Sequence, residues 1–246
     1  MSLKARRRRY GKGSLLGGLL RVAGLRGVGL LVVAFVLVLV VGLGSAFAEP
    51  VCTDTWSGPS EGEWTTAEDW STSKVPASSD VACIGAGKVV KVTAGINQTG
   101  VLLDKGTLVI SNGSLEIVNA LEVSSTQALT QSGGTLMGAG TLDVVGSFSW
   151  TSGTMSGSGS TVLLSGVSGS LASSGNIFLS NRVLVNEGTS TFSEGQLWIS
   201  EAAKLVNVGT FKANSEAGMR SGAGGASVVN TGYFREDVGY GDRNRG

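Results

Sequence analysis

The chain contains no histidine, so any acid–base chemistry would have to run on carboxylates, lysine or arginine. The commonest general base and neutral metal ligand is thereby removed. Ser-His-Asp and Cys-His nucleophile arrangements are excluded with it. The carboxylates best spaced to cooperate are Glu122 and Asp143, which the repeat described below would stack on adjacent coils. The next aligned positions, Leu163 and Leu184, are apolar, so no acidic groove continues. Lys88, Lys91, Lys105 and Asp104 are scattered. No G-x-G-x-x-G or P-loop sits between a strand and a helix. Gly239-Tyr-Gly-Asp242 is only a partial match to the calcium-binding nonapeptide. Two cysteines without histidine do not make an ordinary structural zinc site. The expectation is a chain with no catalytic residues, no cofactor and no metal. Asn97-Gln-Thr and Asn112-Gly-Ser are formal glycosylation sequons that turn chemistry also accounts for.

Charge is distributed unevenly. Residues 1–48 carry eight basic side chains (Lys4, Arg6, Arg7, Arg8, Arg9, Lys12, Arg21, Arg26) and no acid. Of 19 basic and 18 acidic residues in all, 11 and 18 remain beyond residue 48, a net of −7. Phosphate binding needs a positive surface, so nucleic acid is not expected as a partner. Between Arg26 and Glu49 the chain is uncharged, and 28–43 is almost entirely Val, Leu, Ala, Phe and Gly. A basic leader, an apolar run and small residues at Ala46 and Ala48 form the three-part secretory signal pattern, with cleavage after Ala48. The alternative is an uncleaved anchor, in which residues 27–48 would be the chain's contact with a membrane. Both readings place the body outside the cytoplasm. Both cysteines, Cys52 and Cys83, lie beyond the leader, and an even count in an exported chain favours a disulfide over two separate thiols.

Three of the five tryptophans, Trp56, Trp64 and Trp70, fall within fifteen residues. Separated by Gly and Ser, they cannot line a long helix, but they suit a compact loop-rich cap. Stacking of sugar faces on these rings is the alternative role. The pattern Trp56…Trp64…Asp69-Trp70-Ser71…Pro76…Asp80, bracketed by Cys52 and Cys83 and followed by Gly-rich strands, resembles the opening of bacterial β-helix, adhesin-like surface proteins. Asp69 stands where such proteins usually have Asn. The resemblance implies a parallel β-helix with a surface or adhesive role.

Beyond residue 85 no helical period persists, and short apolar runs alternate with Gly, Ser, Asn and Thr. Runs beginning at Val101, Leu121, Leu142, Val162, Val183, Leu205 and Val228 recur at intervals of 20, 21, 20, 21, 22 and 23 residues, which indicates stacked units. Gly146, Gly166, Gly188, Gly209 and Gly232 follow at a similar offset, three of them in Asn186-Glu-Gly188, Asn207-Val-Gly209 and Asn230-Thr-Gly232. Both residue types tolerate positive φ, so these are expected to be sharp corners. Phe148, Phe211 and Phe234 are expected to point inward and stack. Internal strands at 106–110, 134–137 and 196–199 would supply the other faces.

The fold expected is all-β: a parallel β-helix (β-solenoid) with a Trp-rich, disulfide-linked cap, preceded by a hydrophobic signal or anchor helix. Its parts are a leader (1–48), a cap (49–84), repeats of about 20–23 residues (85–234) and a disordered or truncated tail (235–246). A β-sandwich or barrel is the competing architecture, and a fragment of a longer surface protein is the favoured account of the tail. The function expected is an exported structural or adhesive segment touching carbohydrate, cell-envelope or host-surface components. A carbohydrate-binding module or polysaccharide-degrading enzyme is the alternative.

Overall fold

The computed structural model describes residues 50–214 and 217–237. The leader, with its Ala46–Ala48 site and its anchor alternative, lies outside the described residues, as does 238–246 of the tail. The described chain is a parallel β-solenoid of about seven turns. Each coil contributes to up to three faces, always in the same order. The first face is built from Asp54–Thr55, Val81–Ile84, then 101–104, 123–126 and 141–144, then Ser160–Leu163, Val183–Asn186, Lys204–Asn207 and Ser227–Asn230. The second runs from Glu61–Glu63 and Val89–Val92 to Thr210–Asn214 and Tyr233–Asp237. The third runs from Ile96–Thr99 and Ser114–Ile117 to Ala217–Ser221. Residues 107–110, 135–137 and 196–199 are rungs of the second and third faces, where the internal strands are expected.

Alternation along each short strand sends every second side chain inward. Ser160–Leu163 and Val183–Asn186 both alternate half-buried with buried. On the first face one inward column reads Ala82, Leu102, Ser124, Leu142, Thr161, Leu184, Leu205, Val228, at spacings of 20, 22, 18, 19, 23, 21 and 23 residues. The repeat is thus looser than expected, and the expected register is corrected at four places. Val101, Val162 and Val183 are each one residue from the inward position. Leu121 is 95% exposed on a corner, where its N–H bonds Asn119 Oδ1. The cause is that the outward column is also apolar at Leu103, Val162, Val185 and Val206, so residue type alone does not tell inside from outside.

The corners are also built differently from expectation. None of Asn186, Asn207, Gly188, Gly209 or Gly232 has positive φ, whereas Gly166, one residue out of register, does (+94°). The three glycines are needed for closeness between coils. A Cβ on Gly188 would lie 2.3 Å from Val167 O, on Gly209 2.2 Å from Gly188 O, and on Gly232 2.2 Å from Gly209 O.

On the second face one inward column reads Leu129, Phe148, Gly169, Ser190, Phe211, Phe234. Phe211 and Phe234 stack with centroids 5.6 Å apart and planes 1° from parallel. Phe148 is buried but separated from them by Gly169 and Ser190, so the stack is not continuous. The neighbouring inward column compensates in volume, placing Leu171 and Phe192 beside the small residues and Ala213 beside Phe211. The compensation is partial, since Trp150 stands beside Phe148 in that same column, but it avoids two small residues side by side in a close-packed interior.

Two expected boundaries shift. The solenoid begins before residue 85, since Val81–Ile84 is already a rung between Asp54–Thr55 and 101–104. At the other end the strand Tyr233–Asp237 continues past 234, pairing Arg235, Glu236 and Asp237 with Lys212, Ala213 and Asn214. A backbone ladder forms whatever the side-chain charge, so the charged sequence did not end it.

Gly209→Ala is expected to lower unfolding free energy by about 1–3 kcal/mol through overpacking. Gly175→Ala, at a site with open space and no positive φ, is expected to be neutral or slightly stabilising. Urea denaturation of both variants checks the contrast; equal losses would contradict the close-approach explanation.

Candidate functional site

The residues that carried the motif come together at the N-terminal end of the described solenoid. Cys52 and Cys83 are joined by a disulfide, with Cα atoms 5.7 Å apart. Trp56, Trp64 and Trp70 are 4%, 0% and 1% exposed. Trp70 meets Trp56 and Trp64 edge-on at 5.2 and 4.9 Å. Its indole N–H donates to Trp64 O (2.9 Å), and that of Trp56 donates to Pro59 O (3.0 Å). The rings pack edge to face and are buried, so none presents an open face for a sugar. Ser71 Oγ accepts from Thr55 N (2.9 Å) and donates to Asp54 Oδ1 (3.0 Å). Asp80 accepts from Ala77 N at 2.8 Å. Pro76 is buried. The backbone carbonyl of Asp69 accepts from Ser57 N (2.7 Å) and Gly58 N (2.9 Å), so the motif residues pack or bond within this end of the chain.

The scattered charged residues do not converge. Lys88 Nζ donates to Gly58 O (2.8 Å), tying the cap to the first coil. Lys91 forms an ion pair with Glu61, whose hydrogen bond raises the lysine's pKa. Glu122 and Asp143 are not stacked: Ser125 and Val162 are the register partners of Asp143, while Glu122 sits on an exposed corner. Burial raises the Asp143 carboxyl, with a smaller contribution from the charge of Glu187.

Asp104 is the carboxylate whose position the sequence did not disclose. It points into the solenoid, 3% exposed. Its oxygens accept from Gly106 N (2.6 Å) and Thr126 Oγ1 (2.7 Å). Burial outweighs these bonds and pushes its pKa up to about 6. The same inward column continues through Thr126, Val144 and Leu163 to Asn186, Asn207 and Asn230. There the amides form a ladder. Asn186 Nδ2 donates to Asn207 Oδ1 (2.8 Å), and Asn207 Nδ2 to Asn230 Oδ1 (2.7 Å). Each also donates to a backbone carbonyl of the next coil, Thr210 O at 2.9 Å and Tyr233 O at 3.0 Å. The Asn-x-Gly motif is therefore an internal hydrogen-bond ladder beside a close backbone contact.

Arg182 is a second buried charge that the sequence did not single out. It has no exposed surface, yet its partners are neutral. Nε donates to Thr161 Oγ1 (2.9 Å), Nη2 to Ser160 O (2.8 Å) and Gly140 O (3.3 Å), and Nη1 to Gly138 O and Ser156 O (both 3.3 Å). Burial lowers its pKa to about 10, which leaves it charged at neutral pH. Asn97, the first sequon asparagine, is also inward and donates to Ala94 O at 3.0 Å.

On the outer surface of the second face the middle rungs carry hydroxyls, between Ala128 on one side and Lys212 and Tyr233 on the other. Ser147, Ser168, Thr189 and Thr210 form one outward column; Ser149, Ser170 and Thr191 form the next. Among the described residues no group of three or more His, Cys, Asp or Glu side chains is placed to hold a metal. Among the same residues no helix is long and apolar enough to cross a membrane.

Two measurements check this interior and cap. Because the folded pKa of Asp104 lies above its ordinary value of 3.8, folding binds the proton more tightly. That stability is fully present below about pH 4 and is lost as pH rises through about 6. A shift of about two units corresponds to roughly 3 kcal/mol. Asp104→Asn keeps an acceptor for Gly106 N, and its NH2 can donate to Thr126 Oγ1. It is expected to flatten this slope and raise stability at pH 8 by a similar amount; denaturation across pH 4–8 is the check. Reducing Cys52–Cys83 frees a crosslink between residues 31 apart in sequence and is expected to cost roughly 3–4 kcal/mol, seen as a lower melting temperature with reductant. No protein-family model matches the chain, and no curated protein or solved structure matches it.

Proposed function

We propose that this chain is an exported, extracytoplasmic β-solenoid with a structural and adhesive role and no catalytic one. The observation that carries the reading is where the chemistry-bearing side chains go. Asp104, Asn186, Asn207 and Arg182 are buried and bonded within and between coils, while the middle rungs of the second face offer flat rows of Ser and Thr. Flat repetitive surfaces suit contact with extended partners, whereas enzymes gather convergent polar groups in a concavity. The basic leader and apolar run support export, and the disulfide is the kind of bond that persists in an oxidising compartment. The motif's resemblance to adhesin-like surface proteins points the same way. Carbohydrate, envelope or host-surface components are the partners this reading implies.

Expression of the full chain in a bacterial host tests it. The solenoid is expected in the extracytoplasmic fraction, with Cys52 and Cys83 resistant to alkylation until reduced. Incubated with a panel of polysaccharides, it is expected to be retained without releasing reducing ends. Cytoplasmic retention with free thiols, or depolymerisation of any member of the panel, would overturn the reading.

A further inference from the structure

The outer surface of the third face changes character along its length. One outward column reads Ser114, Thr135, Thr154 and then Phe178, Trp198, Arg220 on successive rungs. Phe178 is 41% exposed, Trp198 is half-buried and Arg220 is exposed. Large aromatic side chains on the outside of the solenoid contribute nothing to the core, which Ile177, Leu179, Leu197 and Ile199 already fill from the same strands. The indole N–H of Trp198 donates diagonally to Asn176 Oδ1, one rung below and toward the start of the strand, at 3.3 Å. Diagonal neighbours on a sheet lie about 7–8 Å apart, so a ring that spans this gap reclines along the sheet. Arg220 Nε donates to Gln196 Oε1 at 3.4 Å by the same diagonal pattern. Among the described residues Arg220 forms no ion pair.

We propose that Phe178, Trp198 and Arg220 form a binding shelf for an oligosaccharide of carboxylated pyranoses, with apolar sugar faces on the two rings and a sugar carboxylate on the guanidinium. The inference deepens the adhesive reading and rests on it. Rungs are about 4.8 Å apart, close to the length of one pyranose, so successive sugars can follow successive side chains up the solenoid. Ring faces carry negative electrostatic potential and attract the polarised C–H groups of a sugar, as they attract cations. Guanidinium pairs with a carboxylate through two parallel bonds, so Arg220 supplies a local positive charge that selects one acidic sugar at its rung, although the body beyond residue 48 is net negative. Asn176 and Gln196 hold the ring and the guanidinium in place beside hydroxyl-bonding amides. The site is open and shallow, so affinity comes from few contacts.

The test is isothermal titration calorimetry of the full chain with two probes: β-1,4-linked tetraglucuronate and cellotetraose. They differ in whether C6 is a carboxylate or a hydroxymethyl group. Tetraglucuronate is expected to bind with a Kd of about 0.1–1 mM, and cellotetraose about tenfold more weakly. Arg220→Gln is expected to remove that tenfold difference and leave cellotetraose unchanged. Trp198→Ser is expected to abolish both; if it fails to fold, Phe178→Ser and the Arg220 variant decide. Absence of tetraglucuronate binding, equal affinity for the two sugars, or undiminished binding by the variants each overturns the shelf. Retention on a surface coated with acidic polysaccharide separates this from the adhesive reading. If shelf variants are retained as well as the parent, the shelf is wrong and adhesion survives. If the parent itself is retained on no surface, both fall.

Discussion

Parallel stacking in register is the constraint from which the remaining features follow. Each residue of a rung has its counterpart directly above and below at about 4.8 Å. Interior chemistry is therefore settled by column, and a side chain is acceptable only if its vertical neighbours can answer it. Burying an unpaired amide costs on the order of 2–7 kcal/mol. Asn186 and Asn207 avoid that cost because each amide donates to the next asparagine and to the next coil's backbone. The glycines beside them let the coil come close enough for the ladder to form. Asn and Gly recur together for one geometric reason.

A solenoid coil cannot bury its own apolar side, so stability is shared between neighbours and the first coil needs a partner of another kind. Three tryptophans provide it, filling the end of the core with rings that meet edge to face. The disulfide and Lys88 fasten this plug to the coils that it covers. Among the described residues the buried Trp64 indole N–H finds no hydrogen-bond partner. Such a group costs about 1–3 kcal/mol, which ring burial and the covalent link must offset.

Much of this architecture was legible in the sequence because the repeating unit is short and its punctuation is unusual. The recurrence of short parallel strands, the cysteine pair and the inward phenylalanines could all be read. The register could not, since Val162 and Val185 are as apolar outside as Leu184 is inside, and Thr161 occupies an inward position. The function of Asn-x-Gly was misjudged because a turn and a ladder use the same residues. Asp104 and Arg182 carried no signal, since each is a single charged residue whose burial depends on partners 22 and 44 residues away. The outer aromatics were hidden in the runs Ile177-Phe178-Leu179 and Leu197-Trp198-Ile199, where an inside–outside–inside alternation reads as uniformly apolar.

The reach of Arg182 has a mechanical consequence. A filament pulled along its axis ordinarily peels one layer at a time, because each layer grips only the next. This guanidinium, rooted in its own layer, grips acceptors on the two preceding ones, at Gly138 and Gly140 and again at Ser156 and Ser160. It behaves as a rivet through three plies, so tension reaching this stretch would release them together as one larger step.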